Sequence, residues 1–105
     1  MIARVWHGWT SLENADKYEQ LLREEIFPSI EQMKVKGYKA INLLRRLADK
    51  EVEFITIMYF ENLDAVKEFA GADYENSYVP EKARRMLARH DSNSQHYAVK
   101  EQLSY

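Results

Sequence analysis

The 105-residue chain is the length of one domain, and a chain this size buries roughly two-thirds of its unfolded surface, enough for one core. Its 46% apolar and 30% charged residues are a globular composition, and 15 Lys and Arg against 17 Asp and Glu leave a net charge of −2, with no basic footprint for nucleic acid or an anionic membrane. The lack of cysteine excludes disulfides, thiolate catalysis and thiolate-held metal centres, no apolar run approaches the roughly 20 residues of a membrane span, and the opening MIARVWHGW lacks a signal-peptide layout. A soluble cytoplasmic domain over residues 1–105 is expected.

Residues 2–9 (IARVWHGW) mix β-branched and aromatic side chains and predict a strand. Thr10 and Glu13 have capping-box spacing, which predicts a helix from near Leu12 with Ala15, Tyr18, Leu22 and Ile26 on its buried stripe. Pro28 has no amide hydrogen and clashes with the carbonyl of Glu24, so the helix should kink or restart there and end before Gly37. Two strand-like runs follow, 38–47 and 51–60, and the short polar join Ala48, Asp49 and Lys50 suggests a hairpin. Asn62 is placed to cap a helix over 63–70, with Gly71 as its stop. Pro80 suits the first position of a further helix, whose stripe is predicted through Ala83, Met86 and Leu87 to His90. Residues 92–100 then supply a last strand. The order β-α-β-β-α-β predicts an α+β, ferredoxin-like fold with a four-stranded antiparallel sheet.

A sheet with helices on one face should alternate apolar and polar residues, and these strands do not. In 51–60 one face holds Val52, Phe54, Thr56, Met58 and Phe60, and the other holds Ile55, Ile57 and Tyr59. The first strand likewise sets Ile2 and Trp6 against Ala3, Val5 and Trp9, and the last sets His96 and Ala98 against Tyr97 and Val99. If helices cover one face, the other still carries enough apolar area to need a partner. A homodimer packed through its sheet faces is expected, the plainer alternative being an aromatic-rich sheet with some surface exposure.

The passages IARVWHGWTSLENADKYEQLLREEIFPSI, EFITIMYFENLDAVKEFAG and VPEKARRMLARHDSNSQHYAV, set in this topology, resemble the antibiotic biosynthesis monooxygenase (ABM) family of the dimeric α+β barrel superfamily. The resemblance covers essentially the whole chain. It implies a dimeric α+β barrel with a pocket and, from the quinone-forming members, oxygenation of a small aromatic or quinol substrate without any cofactor. Haem-degrading relatives carry Asn on the first strand, Trp at the end of the third and a ligating His in the second helical region. Here Trp6 stands near the Asn position, Phe60 stands at the Trp position, and residues 62–89 contain no histidine. A haem site is therefore not implied. Phe60 also departs from the quinone-oxidising members, whose pocket uses Trp and Asn.

His7, His90 and His96 show no metal-ligand spacing, so no metal site is expected. A mechanism of the family's kind needs a base and a hydrogen-bond donor beside an apolar slot. His96, Arg4, Asn42 and Tyr59 are the candidate catalytic residues on that basis. Imidazole titrates near neutral pH, which suits His96 to accept a proton, and its plainer role is a strand histidine bonded at the sheet or dimer surface. Arg4 and Asn42 are polar within apolar runs and need partners if buried. Arg4 suits an oxyanion or a deprotonated phenol, and equally an acid at the sheet edge. Trp6, Phe54, Met58, Phe60, Tyr74 and Tyr78 are candidates to line an aromatic cavity for a flat, phenolic ligand, or else to form the core. Two functions follow: a cofactor-independent monooxygenase, or a non-catalytic dimeric domain that binds a small molecule or serves in stress. A cavity of roughly 300 Å³ or more with converging polar groups favours the first.

Overall fold

The computed structural model describes residues 1–105. Strand β1 (Ile2–Ser11) pairs antiparallel with β3 (Glu51–Phe60) along its whole length, from Ile2 opposite Phe60 to Ser11 opposite Glu51. The other edge of β3 takes β2 (Tyr38–Ala48) through a hairpin in which Ala48 faces Glu51, with Asp49 in the turn at φ 59°. The remaining edge of β1 is shared by β4 (Leu87–His90) and β5 (Gln95–Ala98), which gives the order β2-β3-β1-β4 with β5 also beside β1. The predicted α+β fold holds, but the sheet has five strands rather than four. The last position is filled in two pieces because the chain between them turns elsewhere: the Ser77 N–H bonds the Ser92 carbonyl, and the Ser94 N–H bonds the Glu75 carbonyl.

The first helix starts later than the capping-box spacing predicts. Thr10 is fully buried opposite Val52, so β1 runs on to Ser11 and α1 (Ala15–Leu21) begins at Ala15 with no side-chain cap. The expected disturbance at Pro28 takes the form of a π-helical turn, Leu22–Ile26, closed by the Phe27 N–H on the Leu22 carbonyl and followed by α2 (Phe27–Gln32). The wider turn absorbs the missing proline donor without breaking the helix. Helix α3 (Leu63–Ala70) is capped as predicted, with the Ala65 N–H donating to the Asn62 side chain at 3.0 Å and Gly71 stopping it at φ 86°. Gly37 is held to glycine for two reasons. Its φ is 90°, and a Cβ there would stand 2.9 Å from that of Ala65. The helix predicted to reach His90 ends early. Helix α4 (Glu81–Met86) passes directly into β4 at Leu87 (φ −87°, ψ 135°), because pairing with Thr10, Trp9 and Gly8 outweighs the helical propensity of Leu87, Ala88 and Arg89.

All the helices lie on one face of the sheet and divide the core into two clusters. Ala15, Tyr18, Leu21 and Leu22 meet Val52, Phe54 and Ala83; Ile30 meets Met58, Phe60, Ala65 and Val66. Ile26 and Phe27 pack against both clusters. The other face, with Ala3, Val5, His7 and Trp9 of β1 opposite Tyr59, Ile57, Ile55 and Glu53 of β3, carries no helix. No helix is long and apolar enough to cross a membrane.

Candidate active site

Between the two core clusters lies a cavity. Its floor is Arg4 and Trp6 of β1 with Thr56 and Met58 of β3; its roof is Leu22, Ile26, Phe27 and Ile30, from the π turn and α2. Tyr18 and Ala83 close one end, and Phe69, Tyr78 and Ser94 lie around the other. The space between the walls, mouth included, is about 550 Å³, of which about 60 Å³ admits the centre of a water molecule. The enclosed part is smaller than the roughly 300 Å³ that would favour a monooxygenase pocket, and the larger figure includes open solvent at the mouth. Of its 16 lining residues 12 are hydrophobic, so its few polar groups decide what it can hold.

Arg4 is the chief of these. It is 4% exposed, and no carboxylate lies within ion-pair distance. Its Nη1 donates to the Tyr74 carbonyl and lies 3.0 Å from His96 Nε2, and its Nη2 donates to the Asn76 carbonyl at 3.3 Å. Its Nε makes no protein hydrogen bond, yet no sealed side-chain nitrogen or oxygen lacks a partner, so Nε is open rather than buried without a bond. Burial pulls the guanidinium down to about 10, which leaves it charged at neutral pH. A charged group in an apolar surround, bonded only to neutral partners and with a donor to spare, has the chemistry to pair with an anion.

His96 faces Arg4 across β1 and β5. Since a guanidinium only donates, the bond requires a lone pair on Nε2. Burial first, and the Arg4 charge second, hold the imidazole below its ordinary 6.5, with Glu75 opposing, so the ring is neutral. Tyr74 packs edge-on against it at 5.2 Å. Trp6 donates its indole N–H to Ser77 Oγ at 2.8 Å and to the Asp91 carbonyl at 3.0 Å, which fixes its ring as floor. Arg4 and Trp6 thus hold the strap over residues 72–79 at the cavity mouth through three bonds, to Tyr74, Asn76 and Ser77.

The structure brings some of the sequence candidates together and separates others. Arg4, Trp6, Met58 and Tyr78 line the cavity, with His96 and Tyr74 behind Arg4. Phe54 and Phe60 share that face but are fully buried, one in each core cluster, and act as packing on either side of the slot. Asn42 and Tyr59 do not join Arg4: alternation puts Asn42 opposite Ile57 and Tyr59 opposite Ala3 on the uncovered face, where Asn42 is exposed and so already solvated. Sequence reasoning missed Thr56 and Ser94 as cavity residues and assigned Tyr18 only to a buried stripe. Nowhere do three His, Asp or Glu side chains gather closely enough to hold a metal ion.

The chain matches no protein-family model, and no curated protein resembles it in sequence. Its fold does match solved structures. An antibiotic biosynthesis monooxygenase family protein from Deinococcus radiodurans superposes at TM-score 0.67 with 14% identity, covering 100% of this chain and 98% of that one. A monooxygenase from the ActVA-Orf6 gene of Streptomyces coelicolor, solved with nanaomycin D, superposes at 0.61 with 11% identity over 99% and 91% of the two chains. SnoaB, a cofactor-independent oxygenase from Streptomyces nogalater, superposes at 0.56 with 15% identity over 99% and 98%. The chain has the ABM-like α+β fold.

Proposed function

We propose that the protein is a cofactor-independent monooxygenase whose cavity binds a small phenolic or quinol-type substrate as its anion. The observation that carries this is Arg4, a buried cation without a carboxylate, opening on an otherwise apolar slot. The likeness to two cofactor-independent or small-molecule-bound oxygenases of the same fold supports it. Arg4 stabilises the phenolate oxygen and so lowers the cost of deprotonation. His96 is the acceptor nearest that oxygen. It takes the proton as the guanidinium turns from Nε2 to the anion, which links substrate binding to ionisation. The electron-rich ring then reacts with dioxygen at the carbon opposite the oxygen: one oxygen atom replaces the ring hydrogen to give the quinone, and the other leaves as water. Trp6, Met58 and Phe69 hold the ring flat and keep water out.

The protein works as a homodimer through its uncovered sheet face. Val5, Ile55, Ile57 and Tyr59 are half-buried there and Leu44 is 44% exposed, an apolar centre bordered by the ion pairs Arg46–Glu53 and Arg89–Glu51. A second copy buries that centre at no cost in unpaired charge.

Oxygen uptake with naphthols and anthrones in chelator-treated buffer tests the activity. Uptake with quinone formed in equal amount supports it; binding without uptake moves the protein to the small-molecule-binding alternative.

A further inference from the structure

Tyr18 holds a hydroxyl that the fold does not use. The residue is 1% exposed, its ring packs edge-on against Phe54 at 4.9 Å, and the predicted helical stripe needs only an apolar side chain there. Phe at this position would pack equally well, as Phe54 and Phe60 do in the same core. A hydroxyl placed in such surroundings costs stability unless something bonds to it. No protein group does. Since no sealed side-chain oxygen is left without a partner, the Tyr18 hydroxyl is the part of the residue that opens on the cavity it lines. Burial pushes its ionisation above the ordinary phenol range, so the oxygen stays protonated and serves as a donor.

Its place in the slot is as informative as its freedom. Arg4 pairs with Met58, whereas Tyr18 packs on Phe54, four residues back along β3. The two strand positions are roughly 13 Å apart at the rise of a strand. Around Tyr18 the walls are Leu22, Ile26, Val79 and Ala83, none of which can accept its hydrogen with a side chain. The cavity therefore has a cationic donor in Arg4 and a neutral donor in Tyr18, with Thr56 the polar side chain on the floor between them.

We infer that Tyr18 is the second polar anchor of the cavity, donating to a carbonyl or ether oxygen at the end of the ligand remote from the acidic oxygen held by Arg4. This rests on the proposal that the cavity takes an acidic aromatic. It adds that the preferred ligand is oxygenated at both ends and longer than a single ring.

The test is a cycle of two ligands and two proteins. The probe 6-acetyl-2-naphthol carries an acidic hydroxyl and a remote carbonyl; 6-isopropyl-2-naphthol has the same shape without the acceptor. Each is titrated against the wild type and Tyr18→Phe, which keeps the ring on Phe54 and whose melting temperature confirms folding. The expected result is that Tyr18→Phe weakens the acetyl compound about tenfold and leaves the isopropyl compound within about twofold. Equal changes for both ligands, or none, with Arg4→Met still weakening both, would overturn the role of Tyr18 alone. Failure of both to bind the wild type would overturn the acidic-aromatic proposal, and the Tyr18 anchor with it.

Discussion

The two faces of the central strands are made by alternate residues of the same segments, and they solve opposite problems. On the covered face Arg4, Trp6, Thr56 and Met58 surround a cavity in which a cation has only neutral partners. On the uncovered face every nearby charge is answered: His7 Nδ1 lies 2.8 Å from Asp91 Oδ2, Arg46 meets Glu53 at 2.8 Å, and Arg89 meets Glu51 at 2.9 Å while lying 3.9 Å from the Trp9 ring. One face is electrostatically incomplete and sterically enclosed, as a site for a charged ligand must be. The other is electrostatically complete and apolar at its centre, as a surface for a second protein must be. Adjacent residues of one strand thus serve two surfaces of opposite character.

The largest effect expected from this contrast is in the core. Phe54→Ala on the covered face should cost about 3–5 kcal/mol in urea unfolding. Ile57→Ala, on the uncovered face of the same strand and only partly buried, should cost clearly less in the monomer. Equal costs would mean that the two faces contribute alike to the fold. The next effect is on assembly. Ile57→Glu puts a carboxylate at the apolar centre of the uncovered face and should weaken a dimer about a hundredfold in sedimentation velocity, without altering ligand binding. A wild type that stays monomeric across micromolar concentrations would remove the dimer.

A smaller effect is expected from pH. His96 is held below 6.5 in the folded protein, so as pH falls below 6.5 the unfolded chain takes up a proton first. Stability should therefore drop as pH falls through the window from 6.5 to the lowered value, and His96→Gln should remove that drop. Urea midpoints at about pH 7.5 and about pH 5 measure it; an unchanged slope in the variant would assign the loss to other groups. The smallest effect is at the rim, where Arg46→Ala breaks an ion pair whose arginine is mostly exposed. It should shift stability by no more than about 0.5 kcal/mol.

Much of this was legible in the sequence, for reasons that can be named. Strand alternation is strict, so Val52, Phe54, Met58 and Phe60 fell on one face and Ile55, Ile57 and Tyr59 on the other as soon as the strand was recognised. Asn62 and Gly71 act through their own backbone neighbours, and local chemistry is what a sequence records best. The misses are tertiary. Thr10 reads as a helix cap until β3 is found to pair with it, and Leu87–His90 reads as helix until β1 takes it into the sheet.

At the site, Arg4 stood out as a charge in an apolar run, but two of its partners, the Tyr74 and Asn76 carbonyls, are backbone groups that no residue type announces. Tyr18 was hidden for another reason. A stripe position asks only for an apolar body, and nothing in the spacing tells a tyrosine that packs from one that also offers a donor. The one available signal was its hydroxyl on a buried stripe otherwise made of Ala15, Leu22 and Ile26.

The most direct measurement compares 2-naphthol with its neutral methyl ether, 2-methoxynaphthalene, on the wild type and Arg4→Met. Methionine fills the space of the arginine stem without its charge. If the cavity binds an acidic aromatic as its anion, Arg4→Met weakens 2-naphthol about a hundredfold and leaves the ether nearly unchanged. If both ligands weaken together, or neither does, Arg4 is not an anion site and the monooxygenase proposal loses the observation that carries it.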